Sequence, residues 1–257
     1  MYKFSQKKSL GQHFLKNNEV LNRISKLENF EHKLILEIGP GKGALTKILL
    51  KQNPKKIIAV EKDKELALIL KNIQDEYPEK LEVIFQDALK FDLGKIKSNK
   101  INLVANLPYN IATTLIIKWL LFVKKFESIL VMVQKEVAER LTAEVSDKYY
   151  GRTSVLVQLH FTVEKVFDVS PENFYPKPKV ISSFIKLLPK KELNFNYNNV
   201  DETLKICFSQ RRKKLKNNIK NFNSEVEKKI SESGVNIDLR PQDITVDEYL
   251  SLSKLLI

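Results

Sequence analysis

Residues 34–44 read LILEIGPGKGA, an apolar run that ends in a cluster of glycines. The run 34–38 has the length and composition of a buried strand. Gly39, Gly41 and Gly43 follow it closely, although the whole chain contains only seven glycines. Glycine after a strand permits a tight turn and lets a ligand approach the main chain. The stretch therefore predicts a strand, a ligand-binding turn and a helix that begins at residue 44.

Similar apolar runs recur downstream and alternate with helical patterns. We predict further strands at 56–60, 81–85, 101–105, 129–133, 161–169 and 180–187, the last two as an edge hairpin, and helices at 44–51, 64–75, 113–122 and 135–143. Strands that alternate with helices favour a mostly parallel sheet with right-handed crossovers. The pattern therefore predicts an α/β fold built on seven strands.

The pattern changes after Pro189, where apolar residues take up helical spacing. Thr245 and Glu248 form a capping box that predicts the start of a final helix. An Asn-rich stretch at 194–199 is typical of a linker. We therefore predict two domains, a ligand-binding domain at 1–192 and a small all-helical domain at 193–257.

The composition narrows the class of protein. The 257 residues carry a formal net charge of +13 and are 43% hydrophobic, which is typical of a globular protein. One cysteine and three scattered histidines argue against a disulfide framework and a zinc site. The longest uncharged run, 101–117, is shorter than the roughly 20 residues of a membrane span. We expect a cytoplasmic monomer without metal or membrane.

The surplus charge is concentrated in two segments without any acidic residue, 1–18 and 203–221. Such segments are typical of contacts to an anionic partner such as nucleic acid or an acidic membrane, although a solvated lysine-rich surface is the alternative. The residues predicted to make these contacts, and to bind RNA if the partner is a nucleic acid, are Lys7, Lys8, Arg211, Arg212, Lys213 and Lys214.

Acidic residues follow the second and third predicted strands. Glu61 can accept both hydroxyls of a ribose, and Asp87 can accept a hydrogen bond from an adenine amino group. Ligands of open α/β sheets bind at the carboxyl ends of the strands. A nicotinamide dehydrogenase and a methyltransferase that uses S-adenosylmethionine are both compatible with these acids.

The tetrapeptide Asn106-Leu107-Pro108-Tyr109 follows the fourth strand. An exocyclic amino group of a nucleobase is a poor nucleophile, because its lone pair is delocalised into the ring. The Asn106 amide oxygen and the Leu107 carbonyl can accept its two hydrogens and aim the lone pair at a methyl donor. Pro108 stiffens the turn, and Tyr109 offers a face for base stacking. This motif favours methyl transfer, whereas a dehydrogenase has no use for it.

With these motifs, the chain resembles the adenine N6,N6-dimethyltransferases of small-subunit ribosomal RNA over nearly its whole length. The resemblance rests on GQHFL at 11–15, EIGPG at 37–41, VE at 60–61, QDA at 86–88, NLPYN at 106–110, MVQKEVA at 132–138, NFYPKPKV at 173–180 and QRRK at 210–213. It implies the class I Rossmann-like methyltransferase fold, with S-adenosylmethionine as cofactor.

The resemblance also implies roles for individual residues. The cofactor site would comprise His13, Leu15, Glu37, Gly39, Gly41, Glu61, Asp87 and Asn106. Residues 106–109 would form the catalytic loop, and Phe174 would pack against the target base. Many members have Asn where this chain has His13.

The implied function is transfer of methyl groups to N6 of two adjacent adenosines near the 3′ end of 16S ribosomal RNA, on an assembling small subunit. One alternative is a large-subunit ribosomal RNA dimethyltransferase of the macrolide-resistance type, which commonly has Ile where Leu107 stands. Another is a non-catalytic RNA-binding assembly or transcription factor, although Asn106 and the intact cofactor acids argue against it.

Overall fold

The computed structural model of the chain describes residues 11–191, 194–219 and 224–256. The strands are β1 Phe14–Leu15, β2 Leu34–Ile38, β3 Lys56–Glu61, β4 Leu81–Phe85, β5 Ile101–Asn106, β6 Phe126–Gln134, β7 Phe161–Val169, β8 Phe174–Tyr175 and β9 Ser182–Pro189. The helices are α1 Asn18–Ser25, α2 Ala44–Leu50, α3 Ala67–Glu76, α4 Ala112–Trp119, α5 Lys135–Thr142, α6 Arg152–His160, α7 Tyr197–Cys207, α8 Leu215–Ile219, α9 Ser224–Glu232 and α10 Val246–Leu256.

Seven strands form one sheet in the order β4-β3-β2-β5-β6-β9-β7. The pairs β4–β3, β3–β2, β2–β5 and β5–β6 are parallel, whereas β9 runs antiparallel to β6. The predicted seven-stranded, mostly parallel α/β sheet is therefore confirmed. Because the five parallel strands run the same way, the loops that follow β2, β3, β4 and β5 meet at one edge.

The central strands are buried on both faces, as their continuous apolar runs predict. In β5, the side chains of Ile101, Leu103 and Val104 are all 0% exposed. Fully burying one such side chain stabilises the fold by about 1.5–3 kcal/mol. The burial of these strands therefore helps to hold in place the edge that carries the loops.

A second, two-stranded sheet pairs β1 with β8 in antiparallel register. Phe14 faces Tyr175, and Leu15 faces Phe174 across this pair. Strands of two residues have no periodicity, so the sequence did not predict them. This pairing brings the segment after Gly11 beside the segment that precedes β9.

Two helices, α1 and α6, were not predicted. The predicted pairing at the sheet edge is present, because β7 is the edge strand and β9 lies next to it, between β6 and β7. Helix α1 begins where the Asn17 side chain accepts hydrogen bonds from the main chain of Glu19 and Val20. The position of β9 depends on its pairing with β6, which is distant in sequence.

Within the described residues, the first compact unit comprises 11–138 and 164–189. The second comprises 139–163 together with the described residues from 190 onward, and is mainly helical. The domain boundary predicted at 192 and 193 lies outside the described residues, and the second unit differs from the predicted domain by including 139–163.

The second unit has its own buried contacts. The Tyr150 hydroxyl donates to the Ile244 carbonyl at 3.0 Å. Thr245 and Glu248 form the predicted capping box, in which the Glu248 carboxylate accepts from the Thr245 main chain at 2.7 Å. The Glu248 main chain in turn donates to the Thr245 hydroxyl at 3.2 Å. Helix α10 therefore begins where the sequence predicts.

Candidate functional site

A cavity of about 460 Å³ lies at the carboxyl ends of β2, β3 and β5 in the first unit. Every residue predicted for the cofactor site lines it: His13, Leu15, Glu37, Gly39, Gly41, Glu61, Asp87 and Asn106. Leu107, Pro108 and Tyr109 line it as well, but Phe174 does not. Parallel strands gather these residues because their loops emerge at the same edge.

The glycine-rich turn after β2 needs glycine for two reasons. Gly39, Gly41 and Gly43 have φ of 69°, 58° and 77°, in the left-handed region that side chains disfavour. In addition, a Cβ atom on Gly41 would lie 2.8 Å from the Phe14 ring. The turn therefore brings the main chain close against the segment that contains β1.

Glu61, at the end of β3, is tied to this turn. Its Oε2 accepts from the Gly41 main chain at 3.0 Å, and its Oε1 accepts from the Asp63 main chain at 2.8 Å. Burial raises the pKa of Glu61, and the main-chain donors partly oppose that effect. Each carboxylate oxygen has a second lone pair, so the side chain can still accept hydrogen bonds from a ligand.

Glu37, at the end of β2, is almost fully buried, with 1% of its surface exposed. Burial raises the pKa of Glu37 to about 8, with a smaller contribution from the negative charge of Glu61 and an opposing one from the Thr46 hydroxyl. Within the described residues, Glu37 Oε2 has no hydrogen-bond partner. The cavity lining therefore contains an acidic group whose ionised form a cationic ligand would stabilise.

Asp87, after β4, lies in an environment that lowers its pKa, in contrast to Glu37. Lys62 forms an ion pair with its Oδ2 at 2.8 Å, and the Leu89 main chain donates to its Oδ1 at 2.9 Å. The Lys62 ammonium is the main reason that the pKa of Asp87 is lowered. Asp87 is therefore held as an ionised acceptor at the cavity. Sequence reasoning did not single out Lys62, which only its place in the fold brings to Asp87.

The Asn106 side chain, at the end of β5, is oriented by the main chain of a distant segment. Its Nδ2 donates to the His13 carbonyl at 2.8 Å. A carbonyl oxygen can only accept, so this contact identifies the amide nitrogen and leaves Oδ1 as an acceptor. The Leu107 main chain donates to the Met132 carbonyl at 3.2 Å, which anchors the loop to β6.

Tyr109 is also fixed at both its hydroxyl and its ring. Its hydroxyl shares a hydrogen bond with the Ser182 hydroxyl at 2.5 Å. Its ring stacks on the His13 imidazole, with centroids 5.4 Å apart and planes 23° apart. Burial raises the pKa of Tyr109, so the phenol is neutral at physiological pH. It therefore offers an aromatic surface to the cavity rather than a base.

Phe174 does not have the open ring face that the sequence predicted. Its side chain is 1% exposed and belongs to the core, whereas the neighbouring Tyr175 is 59% exposed and lines the cavity. Successive residues of a strand point to opposite faces, and the pairing of β8 with β1 turns Phe174 inward. The sequence signal that could have identified Tyr175 was an aromatic residue directly before a proline-rich segment.

The predicted RNA-binding residues fall into three groups. Lys7 and Lys8 lie outside the described residues. Arg211 donates to the Lys148 carbonyl at 2.5 Å, and Lys214 pairs with Asp238 at 3.1 Å. Arg212 and Lys213 are exposed. Of the described residues in this set, Arg212 and Lys213 are the ones most open to a phosphate.

Two features of other protein classes are absent from the described ranges. No helix there is long and apolar enough to cross a membrane. Across the same ranges, no group of three or more histidine, cysteine or acidic side chains is arranged to hold a metal ion.

Comparison with known proteins agrees with this geometry. The family model for ribosomal RNA adenine dimethylase matches residues 3–257. "Ribosomal RNA small subunit methyltransferase A" of Pelagibacter ubique is 40% identical over 96% of this chain and 95% of its own. The protein of the same name from Ehrlichia chaffeensis is 38% identical over 98% and 97%.

Among solved structures, a dimethyladenosine transferase from Plasmodium falciparum is similar, with a TM-score of 0.79 and 30% identity. The similarity covers 93% of this chain and 96% of that one. The Rossmann-like methyltransferase fold is thus confirmed, and the dehydrogenase alternative is excluded. The chain belongs to the ribosomal RNA adenine dimethylase family.

Proposed function

We propose that the protein transfers methyl groups from S-adenosylmethionine to N6 of two adjacent adenosines near the 3′ end of small-subunit ribosomal RNA. Relatives that share 38–40% identity over nearly the whole chain carry small-subunit names, which favours this substrate over large-subunit RNA. The observation that carries the chemistry is the Asn106 amide, whose nitrogen is held by the His13 carbonyl.

The oriented amide serves the reaction directly. With Nδ2 engaged, Asn106 Oδ1 accepts one hydrogen of the adenine amino group, and the Leu107 carbonyl accepts the other. Accepting both hydrogens favours a pyramidal nitrogen whose lone pair points at the reacting carbon. The amino group keeps its hydrogens until the nitrogen has become cationic and strongly acidic, and water can then take the proton, so no strong base is needed, which agrees with the neutral phenol of Tyr109.

The residues that line the cavity fit the cofactor. Glu61 would accept the ribose hydroxyls, Asp87 the adenine amino group, and Glu37 would face the positive methionine end through water. The observation that supports this fit is Glu37 Oε2, which has no hydrogen-bond partner among the residues that the structure describes, because a buried carboxylate oxygen needs a donor or a cation. When bound, the cofactor supplies an electrophilic methyl group on a sulfonium.

We further propose that the basic residues contact the RNA phosphates of an assembling small subunit. Arg212 and Lys213 are exposed in the second unit, and Lys7 and Lys8 remain candidates at the other end of the chain. The protein would act in the cytoplasm as a monomer that uses no metal. The net charge of +13 favours such an anionic partner.

The proposal is tested with small subunits that lack the modification and with cofactor labelled on its methyl group. We expect label in N6,N6-dimethyladenosine of small-subunit RNA. Asn106→Ala should lower the rate at least about a hundredfold, because it removes the acceptor for the reacting amino group. Asn22→Ala, on an exposed face of α1, is the matched control and should not change the rate. Label in large-subunit RNA alone, or full activity of Asn106→Ala, would contradict the proposal.

A further inference from the structure

His13 makes three contacts with two separate parts of the first unit. Its main-chain carbonyl accepts from Asn106, its ring stacks on Tyr109, and its Nδ1 lies 2.7 Å from the Pro176 carbonyl. These partners belong to the catalytic loop and to the segment after β8. The first contact uses only the main chain, so any residue at position 13 can make it. The other two depend on the side chain.

The contact with Pro176 determines which ring nitrogen carries hydrogen. A carbonyl oxygen cannot donate, so His13 Nδ1 must be protonated and must donate to it. This hydrogen bond holds the ring in its plane and leaves Nδ1 unable to donate to a cofactor. The imidazole is therefore held as a plane beside Tyr109, and only its Nε2 is left for other contacts.

The stack with Tyr109 has a consequence for the substrate. The Tyr109 ring has two faces, and the imidazole covers one of them at a centroid separation of 5.4 Å. The Ser182 hydroxyl restrains the other end of the tyrosine. Tyr109 is half-buried and lines the cavity, so a planar base can approach only the remaining face.

We propose that the His13 imidazole is a positioning residue for the target adenine. Acting through Tyr109, it blocks one face of the ring and holds the other at a fixed distance from the Asn106 amide. This inference rests on the proposed function, because it assumes that Tyr109 stacks on the base to be methylated. It predicts that an aromatic plane at position 13 matters more than a hydrogen-bond donor.

Two substitutions separate those properties. His13→Phe keeps an aromatic plane and removes the donor to Pro176, whereas His13→Asn keeps an N–H donor and removes the plane. We expect His13→Phe to stay within about twofold of wild type in kcat/KM for the RNA. His13→Asn and His13→Ala should reduce kcat/KM about three- to tenfold, the usual value of one aromatic contact. Cofactor affinity, measured by calorimetry for all three, separates the two causes of a loss: a fall in affinity large enough to account for the lower kcat/KM would overturn the inference.

A second readout follows base stacking without catalysis. An RNA helix with 2-aminopurine in place of the target adenosine becomes less fluorescent when that base stacks. Wild type and His13→Phe should quench it equally, and His13→Asn should quench it less. His32→Asn is the matched control, because His32 is exposed and lies away from the cavity. It should behave as wild type in both assays.

The outcomes are distinct. If His13→Asn equals wild type, or His13→Phe is as impaired as His13→Ala, the inference is overturned. A double-mutant cycle with Tyr109→Leu adds a second criterion, since an effect that acts through Tyr109 must largely disappear in that background. If wild type quenches 2-aminopurine but methylates no subunit, the proposed function fails, while the quenching by His13 variants still decides the inference.

Discussion

Phe174 and Tyr175 are adjacent in β8, yet their side chains are 1% and 59% exposed. Phe174→Ala should therefore destabilise the protein by about 3–5 kcal/mol through the cavity that it leaves in the core. Tyr175→Ala should leave stability nearly unchanged and lower kcat/KM for the RNA, because its ring lines the cavity. Urea denaturation and the methyl-transfer assay measure the two effects. A destabilised Tyr175→Ala with a stable Phe174→Ala would contradict the described packing.

The stability of the protein should depend on pH through Glu37, because burial raises the pKa of this side chain to about 8 from an ordinary value of 4.5. The folded state holds this proton more tightly than the unfolded state. The stability that this proton contributes is therefore fully present below pH 4.5, and it is lost as the pH rises from there through 8. Glu37→Gln removes this dependence.

We therefore expect the stability of Glu37→Gln relative to wild type to increase with pH across that window and then to level off. Thermal unfolding of both proteins at matched pH values measures the difference, which cancels the titration of all other groups. A difference that is constant from pH 5 to pH 9 would show that Glu37 is ionised in the folded state.

At the scale of elements, the turn between β2 and α2 depends on Gly41. Gly41→Ala meets two obstacles, a positive φ and the Phe14 ring, so it should cost about 1–2 kcal/mol in strain and also displace the segment over the cavity. We expect cofactor affinity to fall at least about tenfold, as measured by calorimetry.

Gly234→Ala is the control for Gly41→Ala. Gly234 also has a positive φ, of 79°, but apart from its chain neighbours no atom of the described residues lies within 4 Å of the position its Cβ would take. It belongs to the second unit, so its substitution should reduce stability by a similar strain and leave cofactor affinity unchanged. Equal cofactor affinities for the two variants would contradict a role for the Phe14 ring.

At the scale of the whole molecule, we expect RNA binding to depend on where the basic residues lie as well as on the net charge of +13. Reversing the exposed Arg212 and Lys213 to Glu should weaken binding to small subunits and reduce its salt dependence, by roughly one in the log–log slope for each phosphate that is no longer neutralised. Lys214 is a less direct target than the sequence suggested, because it forms an ion pair with Asp238, which also pairs with Lys216. Binding measured over a salt series tests this.

The control for charge reversal makes the same change elsewhere. Lys51 and Lys124 are exposed in the first unit, away from the cavity, and their double reversal alters the net charge equally. Its salt slope should stay near that of wild type. If both double variants lower the slope alike, RNA binding follows net charge and Arg212 and Lys213 have no special role.

Much of the fold and of the candidate site could be predicted from the sequence alone. The strands from β2 to β5 and the capping box at Thr245 were predicted to within one residue, and β6 was predicted at its apolar centre, because apolar runs and capping patterns act between near neighbours. The glycine turn, Glu61, Asp87 and Asn106 were assigned to one edge because parallel strands place their following loops together.

Only the tertiary structure decided which distant residues touch. It placed β9 between β6 and β7, turned Phe174 into the core, paired Lys62 with Asp87 and joined His13 to Asn106, Tyr109 and Pro176. These contacts join segments separated by up to 163 positions, as between His13 and Pro176. Periodicity and capping report only interactions within a few residues, so they determine the elements, whereas the packing of those elements determines the site.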